Sequence, residues 1–195
     1  MRLPDDQKRQ QILDTAARLF ARQRYDQVRL DDVAAAAGVG KGTLYVYFDN
    51  KDDLYFSIAY EGFCDLVDHL TEPPADQQAS AVDRLRRIVE GLVHFARSHP
   101  QFYEMMRLAR GSPKEQARWT PKRAALTNLI RQTIADGIAR GEFADPHPDL
   151  TALFVPGFVR SAMLFGPKDL DLNMLTEHIF ALLMNGIRSR KGAGA

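Results

Sequence analysis

Apolar residues recur along this chain every three or four positions, broken by short runs rich in Gly, Pro and Asp. That period belongs to amphipathic helices, and no stretch alternates residue by residue as a half-buried strand would. From about Asp6 to Gln23 the apolar stripe is Ile12, Ala16, Leu19 and Phe20, with Lys8, Arg9, Arg18 and Arg22 around it. Two short patterns follow: Leu30, Val33, Ala34 and Ala37, then Leu44 and Phe48 within Lys41 to Phe48. Gly38 divides them, and glycine takes the positive φ that ends a helix. From Lys51 a longer helix is predicted through Leu54, Ile58, Phe63, Leu66 and Leu70. It stops at Pro73-Pro74, since proline does not fit a helix interior.

A linker from Glu72 to Ala79 leads to a helix from Ala81 to Ser98, its inner face Leu85, Ile88, Val89, Leu92 and Phe95. His99-Pro100 ends it. An apolar turn (Phe102, Tyr103, Met105, Met106, Leu108) runs to a stop at Gly111, and Ser112 to Glu115 reads as a capping box with Pro113 at the first helical position. Thr120-Pro121 is expected to restart or kink the chain before Leu126, Leu129, Ile130, Ile134 and Ile138 carry a helix to Gly141. Asp149 opens another through Leu153, Phe154, Phe158 and Leu164, with a kink at Pro156. Gly166-Pro167 separates it from a last helix, Leu172 to Ile187. The fold class is all-α. Residues 1–51 form a helix-turn-helix unit, residues 52–190 a second helical domain, and the tail, 191–195, has nothing to bury and is expected to be disordered.

Two short helices joined by a Gly-containing turn form a helix-turn-helix, whose second helix enters the DNA major groove. On that second helix Lys41, Thr43, Tyr45, Val46 and Tyr47 face outward, and several are donors suited to phosphates and base edges. The run GVGKGTLYVYFDNKDDL, Gly38 to Leu54, resembles the DNA-binding signature of the TetR family of transcriptional regulators. So does the wider frame from Ile12 to Leu54. The resemblance implies a homodimer on a palindromic operator, with Thr43, Tyr47 and Lys51 touching phosphates and Gly42 and Tyr45 near bases. Tyr45 has an alternative, packing beside Phe20. Many relatives have Gly at the position of Arg24 and Thr or Ser at that of Arg29. Arg29 cannot cap the second helix, so that start is looser or capped by Asp31 or Asp32, and Arg29 is left to reach a phosphate.

The same resemblance implies a cavity for a small effector in the larger domain. Phe95, Tyr103, Met106, Trp119, Phe154, Phe158 and Met163 are the candidate lining, although each also suits ordinary core. Such a lining favours a mainly apolar ligand, with His94, Tyr103 and Arg107 as polar partners. The reading is a repressor released by that ligand, its dimer built on the last two helices.

Composition tests the rival readings. Gly38 to Thr43 also looks like part of a phosphate-binding loop, but such a loop follows a buried strand, and four alanines precede this one. A helix-turn-helix used only for protein contacts is the other alternative. Net charge is +1, and the first 51 residues carry nine Lys and Arg against seven Asp and Glu, so DNA affinity rests on the placement of a few donors. The five His residues are scattered without metal-ligand spacing, no nucleophile elbow is present, and neither catalysis nor a cofactor is expected. The single Cys64 allows no intrachain disulfide and reads as a small buried hydrophobe. No apolar leader or membrane-length run stands out, so the expected setting is the cytoplasm without membrane contact.

Overall fold

The computed structural model describes residues 5–72, 79–107, 113–167 and 169–187, the side chains of 104–107 and 113–116 excepted. Every element among them is an α-helix: α1 (Asp6–Arg22), α2 (Leu30–Ala36), α3 (Lys41–Tyr47), α4 (Lys51–Thr71), α5 (Ala81–Ser98), α6 (Pro100–Arg107), α7 (Pro113–Ala139), α8 (Pro148–Phe165) and α9 (Leu172–Ile187). The stops at Pro73-Pro74 and Gly111, the capping box at Ser112 and the tail lie outside the described residues.

The ends of these helices have local causes. Asp5 caps α1 by accepting from the Gln7 amide. Asn50 accepts from the Asp53 amide while the Asp53 carboxylate accepts from the Asp49 amide at 3.0 Å, so α4 starts on a reciprocal pair. Ser80 starts α5 in the same manner, on the Asp83 amide. At the end of α2 the Gly38 amide donates to Ala35 and the Val39 amide to Ala34, with Gly38 at φ 64°. Only a residue without Cβ takes that conformation cheaply, and it swings the chain directly into α3. α2 has no side-chain cap at Arg29, nor do Asp31 and Asp32 provide one, so its start is the looser of the two forms expected.

Two expectations fail at prolines. Pro100 opens α6, so the apolar segment after His99 is helical. α7 passes through Pro121 as one helix, so the chain does not restart there. Proline there removes one backbone hydrogen bond, but Trp119 before it and Leu126 and Ile130 after it are all buried. That packing holds the helix together across the missing bond. Pro156 likewise sits inside α8.

Two hydrophobic cores result. The smaller gathers Ile12, Leu13 and Ala16 of α1, Val33 of α2, Leu44 of α3 and the flanking Phe48. It continues past Lys51 to Leu54 and Ile58 of α4, so a unit ending at Lys51 would lack part of its own interior. The larger core is built around α5, which packs on α4, α7, α8 and α9. α4 also supplies Tyr55, Phe56, Ala59 and Phe63 to this larger core. One helix therefore carries apolar side chains into both interiors.

Burial pushes the phenols of Tyr55 and Tyr103 up to about 12. In the unfolded chain a Tyr releases its proton near pH 10, so above that pH the folded state holds more protons. Stability from these two groups is complete below about pH 10 and falls as pH approaches 12, by about 1.4 kcal/mol per pH unit for each. Denaturant unfolding across this range should show that loss, and Tyr55→Phe should make it shallower.

Candidate nucleic-acid interface

The reader helix α3 buries Leu44, with Phe48 just beyond its end, leaves Lys41, Gly42, Tyr45 and Val46 exposed, and packs Tyr47 partly against the smaller core. Tyr45 is 45% exposed, so its ring does not pack beside Phe20. Phe20 is instead stacked with Tyr25 at 5.6 Å and meets Tyr55 edge-on at 5.0 Å. Gly42 is exposed, and a Cβ added there would meet nothing within 4 Å, which leaves the backbone open to close approach. Thr43 is half-buried beside it. Tyr47 accepts the Asp5 amide at 2.9 Å, and its own O–H remains a donor. Arg29 is exposed at the mouth of α2.

The two lysines behave differently. Lys41 is exposed and paired with Asp31 of α2 at 2.8 Å. Their mutual hydrogen bond holds the Asp31 carboxyl below its usual range and raises the Lys41 ammonium. A phosphate would have to replace Asp31, an exchange made easy because water screens an exposed pair. Lys51, expected on a phosphate, is occupied within the protein. Its ammonium donates to the carbonyls of Tyr25 and Val28 at 2.9 and 3.0 Å and lies 4.4 Å from the centre of the Tyr25 ring. The turn before α2 leaves those carbonyls without helical partners, and the nearest donor from α4 takes them.

The larger domain brings together some of the expected pocket residues and not others. Phe95, Tyr103 and Trp119 are buried in one aromatic cluster with Phe63 and Phe102, the Phe102 and Trp119 rings stacked at 4.6 Å. Met163 packs against the same core. The side chains of Met106 and Arg107 lie outside the described residues. Phe154 and Phe158 are corrections: they are 56% and 36% exposed. The inward line of α8 is Ala152, Val155 and Val159, and at 100° per residue Phe154 falls about 130° from its centre and Phe158 about 90°, on its flank. His94 is also on the outside, bonded to Arg97. His99, read from sequence only as a helix stop, is the histidine that reaches the aromatic cluster. Its ring stacks on Phe95 at 4.6 Å and abuts Gly62 of α4, where a Cβ would come within 2.8 Å. Burial lowers its pKa. Cys64 is half-buried rather than enclosed, and its hydrogen bond to Tyr60 raises that phenol.

Gly38 to Thr43 follows helix α2, not a strand, which removes the phosphate-loop reading. Residues 12–58 match the family model for bacterial regulatory proteins of the tetR family, and residues 78–164 that for the tetracyclin repressor-like C-terminal domain. The chain is a TetR-family transcriptional regulator. Its relatives include the fatty acid metabolism regulator protein of Bacillus subtilis (strain 168), 24% identical over 191 residues, which are 94% of this chain and 97% of that protein. Among solved structures, the transcriptional regulator FadR from Bacillus subtilis in complex with stearoyl-CoA superimposes with a TM-score of 0.68 at 22% identity, covering 92% of this chain and 99% of that one. AibR in complex with isovaleryl coenzyme A and operator DNA gives a TM-score of 0.62 at 21% identity, covering 90% and 97%. These superpositions establish the shared fold of the TetR-family regulator.

The different surroundings of the two lysines lead to different expected losses. Lys41→Ala should weaken DNA binding and reduce the slope of log affinity against log salt by about 0.9 if one phosphate contact goes. Its melting temperature should stay near that of the parent. Lys51→Met should leave the slope unchanged but cost stability of about 2 kcal/mol, since it strips two carbonyls of a charged donor. Fluorescence anisotropy at several salt concentrations, paired with thermal melts, checks both.

Proposed function

We propose that this regulator is a homodimeric repressor, seated on a palindromic operator through α3 and released when an acyl-chain effector enters the larger domain. The observation that carries the reading is α4, whose Leu54 and Ile58 complete the reader core while Tyr55, Ala59 and Phe63 belong to the effector-side core. Repacking of the aromatic cluster changes the seat of α4 and so the spacing of the two reader helices. A ligand shifts that balance only as far as it binds one arrangement better than the other.

Lys41, Gly42, Thr43, Tyr45 and Tyr47 make up the outward surface of the reader, with Arg29 at its edge. The dimer is supported by an exposed apolar stripe on α8 and α9: Leu150, Leu153, Phe154 and Phe158 on the first, Met174 and Leu182 on the second. So many exposed apolar side chains on two helices in contact are unusual on a lone subunit in water. A second copy related by a two-fold axis would cover it and set two readers one helical turn apart. The acyl effector is supported by the buried aromatic cluster and by the relatives: one is a fatty acid metabolism regulator, and two of the superimposed proteins hold acyl-coenzyme A. No described helix is long and apolar enough to cross a membrane, and as an operator-binding protein this regulator acts where the chromosome is, in the cytoplasm.

Titrating the operator complex, located by footprinting upstream DNA, with palmitoyl-CoA tests the function. Dissociation of the DNA is expected, and unchanged affinity at saturating ligand overturns the repressor mechanism. The dimer face has its own test in two adjacent leucines, Leu182 at 47% exposure and Leu183 at 5%. Leu182→Asp should give a folded monomer with greatly weakened operator binding. Leu183→Asp should unfold, because an unpaired carboxylate in an apolar interior costs several kcal/mol. Sedimentation and circular dichroism separate these outcomes, and an intact Leu182→Asp dimer refutes the interface.

A further inference from the structure

A groove of about 900 Å³ lies where the reader unit meets the larger domain. The end of α1 and the turn after it supply Phe20, Ala21 and Tyr25, α4 supplies Tyr55 and Ile58, and the corner between α5 and α6 supplies Ser98 to Gln101. Its volume is that of a small-molecule site. Phe63, Phe102 and Trp119 do not line it, so it is distinct from the aromatic cluster. His99 belongs to both, lining the groove while its ring stacks on Phe95.

The floor of the groove is apolar. Phe20 and Tyr25 are stacked, Tyr55 meets them edge-on at 5.0 and 5.4 Å, and Tyr55 and Ile58 are buried. The banks are polar without net charge. Among the described lining residues the charged ones are Arg24 and Asp26, bonded to each other at 3.1 Å. The His99 Nδ1 lies 3.1 Å from the Phe95 carbonyl, which can only accept, so Nδ1 holds the proton. Burial disfavours adding a second one, and the ring stays neutral. Two helices also end here, α1 at Arg22 and α5 at Ser98. The last carbonyls of a helix lack partners within it and carry the negative end of its dipole. A flat apolar floor, acceptors at the edge and no uncompensated cation suit an aromatic donor and repel an anion.

We propose that this groove is a second ligand site, taking an uncharged fused-ring aromatic molecule with an N–H donor, and that its occupant braces the reader unit against α4 and the α5–α6 corner. The site does not depend on the acyl-effector reading above. Its occupant would lie on Tyr25, whose carbonyl holds Lys51, and on Tyr55 at the start of α4. A guest spanning parts that shift relative to one another fits one arrangement better than another, so its binding changes operator affinity.

Acridone tests this, being flat, uncharged and fluorescent, with one N–H. N-methylacridone lacks the donor, and acridone-4-carboxylate adds a negative charge. The anisotropy of each probe is followed as full-length protein is added, for the wild type and for Ala21→Trp and Ser98→Trp, which fill the groove from opposite banks. Both positions are exposed, so thermal melts should show both variants folded. The wild type should bind acridone about tenfold more tightly than either analogue, and each variant should lose about tenfold or more in acridone affinity. Saturating acridone should change the operator affinity of the wild type by about fivefold or more and leave that of the variants alone. Absence of acridone binding to the wild type overturns the site. So does binding that neither substitution weakens, which would place the probe in the aromatic cluster. Equal affinity for the carboxylate refutes the ligand class, and operator affinity unmoved at saturation refutes the brace.

Discussion

The ammonium of Lys51, lying on the carbonyls of Tyr25 and Val28 and against the Tyr25 ring, fixes where the reader unit sits on the rest of the molecule. A cation at the first turn of a helix faces the positive end of the helix dipole, an unfavourable place for it. Here Asp52 and Asp53 share that turn, and the two carbonyls satisfy the ammonium from the other side. Tyr25 is thereby held from several directions, its hydroxyl bonded to Asp52 and its ring wedged between Phe20 and Tyr55. Because Phe20 lies in the last turn of α1 and Tyr55 near the start of α4, the turn that positions α2 is tied to the helix that leaves for the larger domain.

From that joint outward, the mechanism needs no long chain of intermediaries. The aromatic cluster touches α4 through Phe63, and His99 touches it at Gly62, where only a residue lacking Cβ leaves room for the imidazole. A guest that rearranges the rings therefore acts on α4 itself. Packed interiors answer by switching between arrangements rather than by stretching, which is why a modest displacement at one end of a helix can decide whether two readers match a single duplex.

Most helices and their inner faces were legible because burial leaves a period in the sequence; α6, expected as a turn, was not. The line through Leu85, Ile88 and Leu92 is as the apolar spacing predicts, and in the last helix Leu175, Ile179 and Leu183 are buried while Leu182 and Gly186, expected on the same line, are exposed. The same spacing cannot say what an apolar face is buried against. Phe154 and Phe158 carry the signature of lining residues, and only three dimensions show that Ala152, Val155 and Val159 own the inner side. Continuity through Pro121 was hidden because packing on both sides outweighs a local cost of about 3 kcal/mol. The role of Lys51 was hidden too, since its partners are backbone carbonyls with no trace in residue type.

The sharing of α4 between two interiors bears on how such proteins can be recombined. Leu54 and Ile58 serve one side of the helix, while Tyr55, Ala59 and Phe63 serve the other. A chimera that joins this reader to a foreign sensor at Lys51 would deprive the donor unit of two core side chains and give the acceptor a helix with unmatched flanks. A workable seam lies beyond Ile58, and even there the incoming sequence must keep the angular offset between the two sets. Modularity in this architecture is a matter of helical phase, and a single inserted residue, turning everything downstream by about 100°, would disconnect sensor from reader while leaving each able to pack.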